Sequence, residues 1–99
     1  MTKQELVSRM QEGKAWIPGK RVKLDFGGDG AIMLDGAASQ VSEDNGDADT
    51  TIKVSWDDWQ AMAAGELDGM TAFMTGKLRI EGDMSNAMQL QGVLAKLRG

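Results

Sequence analysis

Gly65-Glu-Leu-Asp-Gly-Met-Thr-Ala-Phe-Met-Thr-Gly-Lys-Leu-Arg-Ile-Glu-Gly-Asp-Met84 is the stretch on which the fold turns. Thr71 to Thr75 has room for one helical turn between Gly69 and Gly76, and Lys77 to Glu81 then alternates polar and apolar, the period of a half-buried strand. Gly82 closes that strand, and Asp83 or Ser85 is placed to cap a last helix. Ala87, Leu90, Val93, Leu94 and Leu97 give this helix a broad apolar face. The stretch therefore predicts helix, strand, helix in succession, with flexible methionines as its main apolar side chains.

Working back toward the N-terminus, Ser55 is set to cap a helix with Asp57 and Asp58 in its first turn, where carboxylates offset the helix dipole. Trp59, Met62 and Ala63 form its apolar stripe, and Gly65 ends it. Before it, Thr50, Ile52 and Val54 share one face of a strand spanning Asp49 to Ser55. Asn45-Gly46 has the form of a two-residue hairpin turn, since both residues tolerate positive φ, and predicts a third strand paired with this fourth one. Val22, Leu24 and Phe26 alternate with Lys23 and Asp25 in a first strand. Gly27-Gly28-Asp29-Gly30 reverses it into Ala31 to Leu34, and Asp35-Gly36 makes the next turn. At the start, Thr2-Lys-Gln-Glu5 has the form of a capping box and predicts a helix from Lys3 to Glu12, stopped by Gly13.

The predicted order is α, four strands, α, a short α, β, α. Strands joined by hairpins with helices gathered after them give an α+β fold, helices on one face of an antiparallel sheet. At 99 residues and 41% hydrophobic composition the chain fits one domain, residues 1–99.

The composition narrows function. Neither cysteine nor histidine occurs, which removes thiolate chemistry, disulfides, the commonest zinc ligand and the usual general base. A hydrolase or transferase is accordingly disfavoured, and no enzymatic activity, cofactor or metal is expected. A net charge of −4 speaks against a nucleic-acid partner, which needs a basic face. No run of 18 apolar residues and no signal-peptide core are present, so stable membrane insertion is not expected and the cytoplasm is the expected location.

Several polar groupings invite a chemical reading that their spacing does not support. Aligning Glu43 to Asp49 with a calcium loop puts Ala48 where glycine is required and Val54 where a bidentate glutamate closes the cage. Gly28-Asp29-Gly30 lacks the lysine and the strand-to-helix setting of a phosphate loop. Asp57 and Asp58, as helix neighbours, point about 100° apart and read as first-turn carboxylates. Lys53, Lys77 and Arg79 read as the outward residues of alternating strands.

The methionines are the positive signal. Met62, Met70, Met74, Met84 and Met88, five of the eight, fall within 27 positions. Methionine repacks around irregular contents at low cost, whereas a small fixed core favours stiffer Leu, Ile and Val. On helices that cover a sheet, such residues suit either plain core or the lining of a cavity with variable contents.

Taken together, Asp49-Thr-Thr-Ile-Lys-Val-Ser55, Gly65-Glu-Leu-Asp68, Ala72-Phe-Met-Thr-Gly-Lys-Leu-Arg-Ile-Glu-Gly-Asp83 and Ala87-Met-Gln-Leu90 resemble the sterol carrier protein 2 family of lipid-transfer domains. The resemblance extends over residues 20 to 97 and is concentrated in residues 49 to 94. It implies a five-stranded, mainly antiparallel sheet with helices on one side, and an apolar tunnel between them for sterols, fatty acids or fatty acyl-CoA. The C-terminal Lys96-Leu-Arg-Gly99 differs from a peroxisomal serine-lysine-leucine address, from which a bacterial-type cytoplasmic domain is expected.

On this reading a hydrophobic small molecule is held between a sheet face made of Val22, Leu24, Phe26, Ile32, Leu34, Ile52, Val54, Leu78 and Ile80 and a movable cover of Trp59, Met62, Met70, Phe73, Met74 and Met88. The domain is expected to be a monomer or weak dimer. The alternative is an interaction or dimerisation module with the same fold, a collapsed tunnel and an exposed apolar patch around Trp16, Trp56 or Trp59.

Overall fold

The computed structural model describes the backbone of residues 2–97, and the side chains of these except Gln91 and residues 94 to 97. Helix α1 (Lys3–Glu12) is followed by strands β1 (Arg21–Asp25), β2 (Ala31–Asp35), β3 (Gln40–Ser42) and β4 (Thr50–Val54). Then come α2 (Trp56–Ala63), α3 (Gly69–Met74), β5 (Leu78–Gly82) and α4 (Met84–Leu97). This is the predicted order, with one 3-10 turn, Gly27–Asp29, added in the first hairpin.

The caps explain why the helices begin where they do. Thr2 Oγ1 accepts from Glu5 N at 3.1 Å, Ser55 Oγ from Asp58 N at 3.1 Å, and Asp68 Oδ2 from Thr71 N at 3.2 Å. Each satisfies a backbone donor that the first helical turn leaves without an intrahelical partner. At the other end of α1 the chain passes Gly13 in a right-handed conformation, and Lys14, at φ 52°, takes the left-handed step.

The five strands form one sheet in the order β3-β2-β1-β4-β5. Three neighbouring pairs are antiparallel, and β1 and β4 run parallel. This corrects the reading of Asn45-Gly46: β3 and β4 are not paired, and the segment between them is not a hairpin. It crosses from one side of β2 to the far side of β1, about 14 Å at the usual strand spacing, which seven residues span easily.

Long-range polar contacts hold that crossing in place. Lys23 Nζ donates to Gly46 O at 3.1 Å, Arg21 Nη2 lies 3.3 Å from Asp44 Oδ2, and Arg21 and Asp49 exchange two bonds of 2.9 Å, one to the Asp49 side chain. Asp44 also accepts from Gly46 N. The acidic cluster of the sequence thus spends Asp44 and Asp49 on chain geometry. Among the described residues no group of three or more acidic side chains is disposed to hold a metal ion.

The core lies on the face that carries Val22, Leu24, Ile32, Leu34, Val41, Ile52, Val54 and Leu78. All four helices contribute to it: Leu6 and Met10 from α1, Trp59 from α2, Ala72 from α3, Ala87 and Leu90 from α4. Val93 joins its margin, while Leu94 and Leu97, read from the sequence as part of the same helix face, lie outside the described side chains. The opposite face of the sheet carries the ion pairs Arg21–Asp35 and Lys53–Glu81, each at 3.3 Å. Gln11 of α1 also guards the β3 edge, its Oε1 accepting from Val41 N at 2.8 Å, which occupies one of the donors an edge strand leaves open.

Candidate functional site

Strands β4 and β5 set the floor of the site through their register. Ile52 stands opposite Ile80 and Val54 opposite Leu78, so both strands present apolar side chains to the same side. Because Ser55 caps α2 directly after β4 ends, α2 folds back over this floor with Trp59 and Met62, three residues apart, turned to it. Phe26 fixes the packing of α2 from the side: its ring meets Trp56 edge-on at 5.0 Å and Trp59 at 6.0 Å with a 60° tilt, both within the range of favourable aromatic pairs.

The start of α4 is tied down by a buried polar node. Thr50, fully buried at the head of β4, donates from Oγ1 to Asp83 O at 2.7 Å and accepts from Asn86 Nδ2 at 3.1 Å. Asp83 caps the helix, its Oδ1 accepting from Ser85 Oγ at 2.7 Å and Ser85 N at 2.9 Å. Those bonds, the hydroxyl's foremost, hold the Asp83 carboxyl below its usual value. With its first turn anchored in this way, α4 directs Ala87 and Leu90 at the sheet.

Between these elements lies a cavity of about 20 Å³ lined by Ile52, Trp59, Met62, Leu78, Ile80, Ala87 and Leu90. That is space for about one water-sized group. None of its lining side chains is ionisable. Its walls are hydrocarbon, and none of the lining side chains is a nucleophile, acid or base.

Of the residues named from the sequence, Ile52, Trp59, Met62, Leu78 and Ile80 meet at this cavity. Val22, Leu24, Phe26, Ile32, Leu34 and Val54 are buried in the adjoining core without lining it. Met70, Phe73, Met74 and Met88 are exposed, Met74 to 78%. Ala87 and Leu90 complete the lining; the signal for them was the helical spacing of the last apolar face. Trp16 and Trp56 are half-buried against the core and Trp59 is buried, so among the described residues the exposed large apolar side chains are those of α3 and α4 and not, as the alternative reading placed them, the tryptophans.

Fold and cavity together define a class: an α+β domain whose helices pack over the apolar face of a mostly antiparallel sheet, with a small, partly open apolar cavity between them lined by no ionisable side chain. The family model of the SCP-2 sterol transfer family matches residues 11–95, and the chain belongs to that family. The match reaches further toward the N-terminus than the motifs quoted above.

Among known proteins, the chain is similar to a fatty acid-binding protein of Yarrowia lipolytica, 37% identical over 49 residues, which are 50% of this chain and 38% of that protein. It is similar to sterol carrier protein 2 of Bos taurus, 37% identical over 61 residues, 62% of this chain and 11% of that protein. The chain thus spans well under two thirds of the length of these relatives. Its fold is also that of the solution structure of sterol carrier protein-2 from Aedes aegypti in complex with the C16 fatty acid palmitate, at a TM-score of 0.77 and 16% identity over 96% of each chain. No described helix is long and apolar enough to cross a membrane.

Proposed function

We propose that this chain, acting as one domain in the cytoplasm, is a non-enzymatic carrier of a hydrophobic ligand, a fatty acid, fatty acyl-CoA or sterol-like lipid, held between sheet and helices. The observation that carries this reading is the cavity walled by Ile52, Trp59, Met62, Leu78, Ile80, Ala87 and Leu90, set in a fold of the sterol transfer family. Affinity in such a site comes from removing hydrocarbon from water, about 0.8 kcal/mol for each buried methylene. Burying about fourteen methylenes supplies roughly 11 kcal/mol, and an association cost of at least about 4 kcal/mol leaves a dissociation constant of about 10 μM at the tightest.

A cavity of about 20 Å³ is far smaller than the roughly 300 Å³ at which ligand pockets begin. In this mechanism loading enlarges the cavity by moving an element of the cover, and α3 is a short one. It is six residues long, and only Ala72 of it is buried. Met70, Phe73 and Met74, exposed in this structure, turn inward over the ligand in this mechanism, repacking around whatever chain is present. Delipidated protein titrated with a fluorescent fatty acid should give a saturable isotherm; no uptake across a panel of acyl chains and sterols overturns the proposal.

The exposure of Met70, Phe73, Met74, Met84 and Met88 also supports a second reading, a dimerisation module that buries this surface against a second copy. A stable dimer in sedimentation, with no lipid in the purified protein by mass spectrometry, favours it over carriage.

A further inference from the structure

The two edges of the sheet differ. On β3 the Gln11 side chain occupies the Val41 N–H. On β5, Asp83 N donates to Asp49 O, and the alternation of an antiparallel ladder then turns the N–H and C=O groups of Arg79 and Glu81 toward β4 and those of Leu78 and Ile80 outward. Among the described residues no loop or side-chain hydrogen bond reaches these outward groups, and Arg79, Glu81 and Gly82 beside them are exposed. An open edge of this kind is a template for a further strand.

The charges on β5 form their own complement. Reading Lys77-Leu-Arg-Ile-Glu-Gly-Asp83 outward from Ile80, each cation on one side answers a carboxylate on the other: Arg79 and Glu81, then Lys77 and Asp83. Arg79 has no ion pair among the described residues. It stands opposite Lys53 of β4, whose ammonium pairs with Glu81 at 3.3 Å, and like charges directly opposite each other weaken a sheet.

We propose that β5 pairs with β5 of a second copy of this chain, antiparallel about a twofold axis through Ile80, so that two sheets become one with both apolar faces on the same side. In this register the two Ile80 residues exchange their outward backbone bonds. Arg79 faces Glu81 of the second copy in a pair without backbone bonds, where the Cα atoms come within about 4.5 Å and side chains are closest. Charge selects the register. The neighbouring registers in which outward groups still meet, Ile80 against Leu78 or against Gly82, set Arg79 against Arg79 or Glu81 against Glu81, and such like pairs are unfavourable. The same charges that guard this edge against an arbitrary strand therefore admit a second copy of the chain in one alignment.

This pairing does not depend on carriage, and it uses the strand edge where the second reading above uses the methionine surface of α3 and α4. Sedimentation equilibrium of the full chain at low ionic strength, up to millimolar concentration, should show reversible dimerisation. In ¹⁵N spectra the Ile80 amide should move with concentration, while those of Arg79 and Glu81, already bonded to β4, move little. Arg79→Glu and Glu81→Arg should each weaken dimerisation at least about fivefold, since each makes both cross-strand pairs alike in charge. An equimolar mixture of the two variants should restore it, because one then offers only carboxylates and the other only cations at these positions. Should either variant not fold by circular dichroism, the Ile80 amide of the unsubstituted protein decides alone. A monomer at every concentration, a dimer of unchanged affinity in both variants, or a mixture that associates no better than its parts overturns the pairing. So does a dimer that leaves the Ile80 amide unmoved, which is the result expected of the methionine surface.

Discussion

Replacing Thr50 by valine should destabilise the domain by about 1–3 kcal/mol, although the two side chains have nearly the same shape. The Thr50 hydroxyl is fully buried and makes two bonds, donating to Asp83 O and accepting from Asn86 Nδ2. Losing the bond to Asp83 O costs about 1 kcal/mol, the net worth of an ordinary hydrogen bond. Losing the bond to Asn86 costs about 1–3 kcal/mol, because the side chain is 97% buried and its amide is orphaned. The added methyl group returns up to ~0.8 kcal/mol. In a domain of this size the balance lowers the melting midpoint by roughly 5–25 °C.

Urea titration followed by circular dichroism checks this, with an unchanged slope showing that stability and not compactness has moved. The cycle with Asn86→Leu isolates the mechanism: since the double variant orphans no buried amide, its loss should be smaller than the sum of the single losses by about 1–2 kcal/mol. A Thr50→Val protein within about 0.5 kcal/mol of the parent, or strictly additive losses, refutes the reasoning. Because the node fixes the first turn of α4, and with it Ala87 and Leu90 at the cavity, the same variant should also weaken acyl binding.

The double substitution Met70→Gln and Met74→Gln should leave stability within about 1 kcal/mol of the parent, as exposed positions do, yet weaken acyl-probe affinity at least about tenfold if these side chains close over the ligand; melting and titration on one preparation check both. Gly36→Ala should cost at least about 3 kcal/mol or prevent folding, because a Cβ there overlaps the Ile17 carbonyl in the turn where Gly36 N donates to Lys20 O at 2.7 Å; a denaturation midpoint near that of the parent contradicts this. Asp83 makes the cap of α4 acid-sensitive. Its folded pKa is lowered, so its contribution is complete above the unfolded value of 3.8 and is lost as pH falls through the lowered folded value. The melting difference between the parent and Asp83→Ala should hold from pH 6 to near pH 5 and shrink below 3.8; a pH-independent difference counts against the cap.

Local signals carried far in this chain. Thr2, Ser55 and Asp68 each place a side-chain oxygen three residues before a free N–H, and the helices start there. Val22 and Leu24, Thr50 to Val54, and Leu78 and Ile80 alternate, and the strands put those residues on one face. Five of the cavity residues were legible from that alternation and from the stripe on α2, and the spacing of Ala87 and Leu90 marked the helix face that completes the lining. Asn45-Gly46 misled because turn propensity is a local quantity, whereas the pairing of β1 with β4 is decided by which apolar faces make one continuous surface. The methionines of α3, expected as part of a movable cover, are exposed in this structure: composition shows that a side chain is adaptable, but not which way it points in a given state.

By itself, then, the sequence determined the succession of elements, the apolar face of the sheet, and the absence of thiol or imidazole chemistry, since these depend on residue type and near-neighbour spacing. The tertiary structure decided what depends on contacts between distant segments. It set β1 and β4 parallel, joined Thr50 to Asn86 across 36 positions, brought residues of β4, α2, β5 and α4 around one small apolar cavity, and left the indole N–H of Trp59 buried without a partner among the described residues.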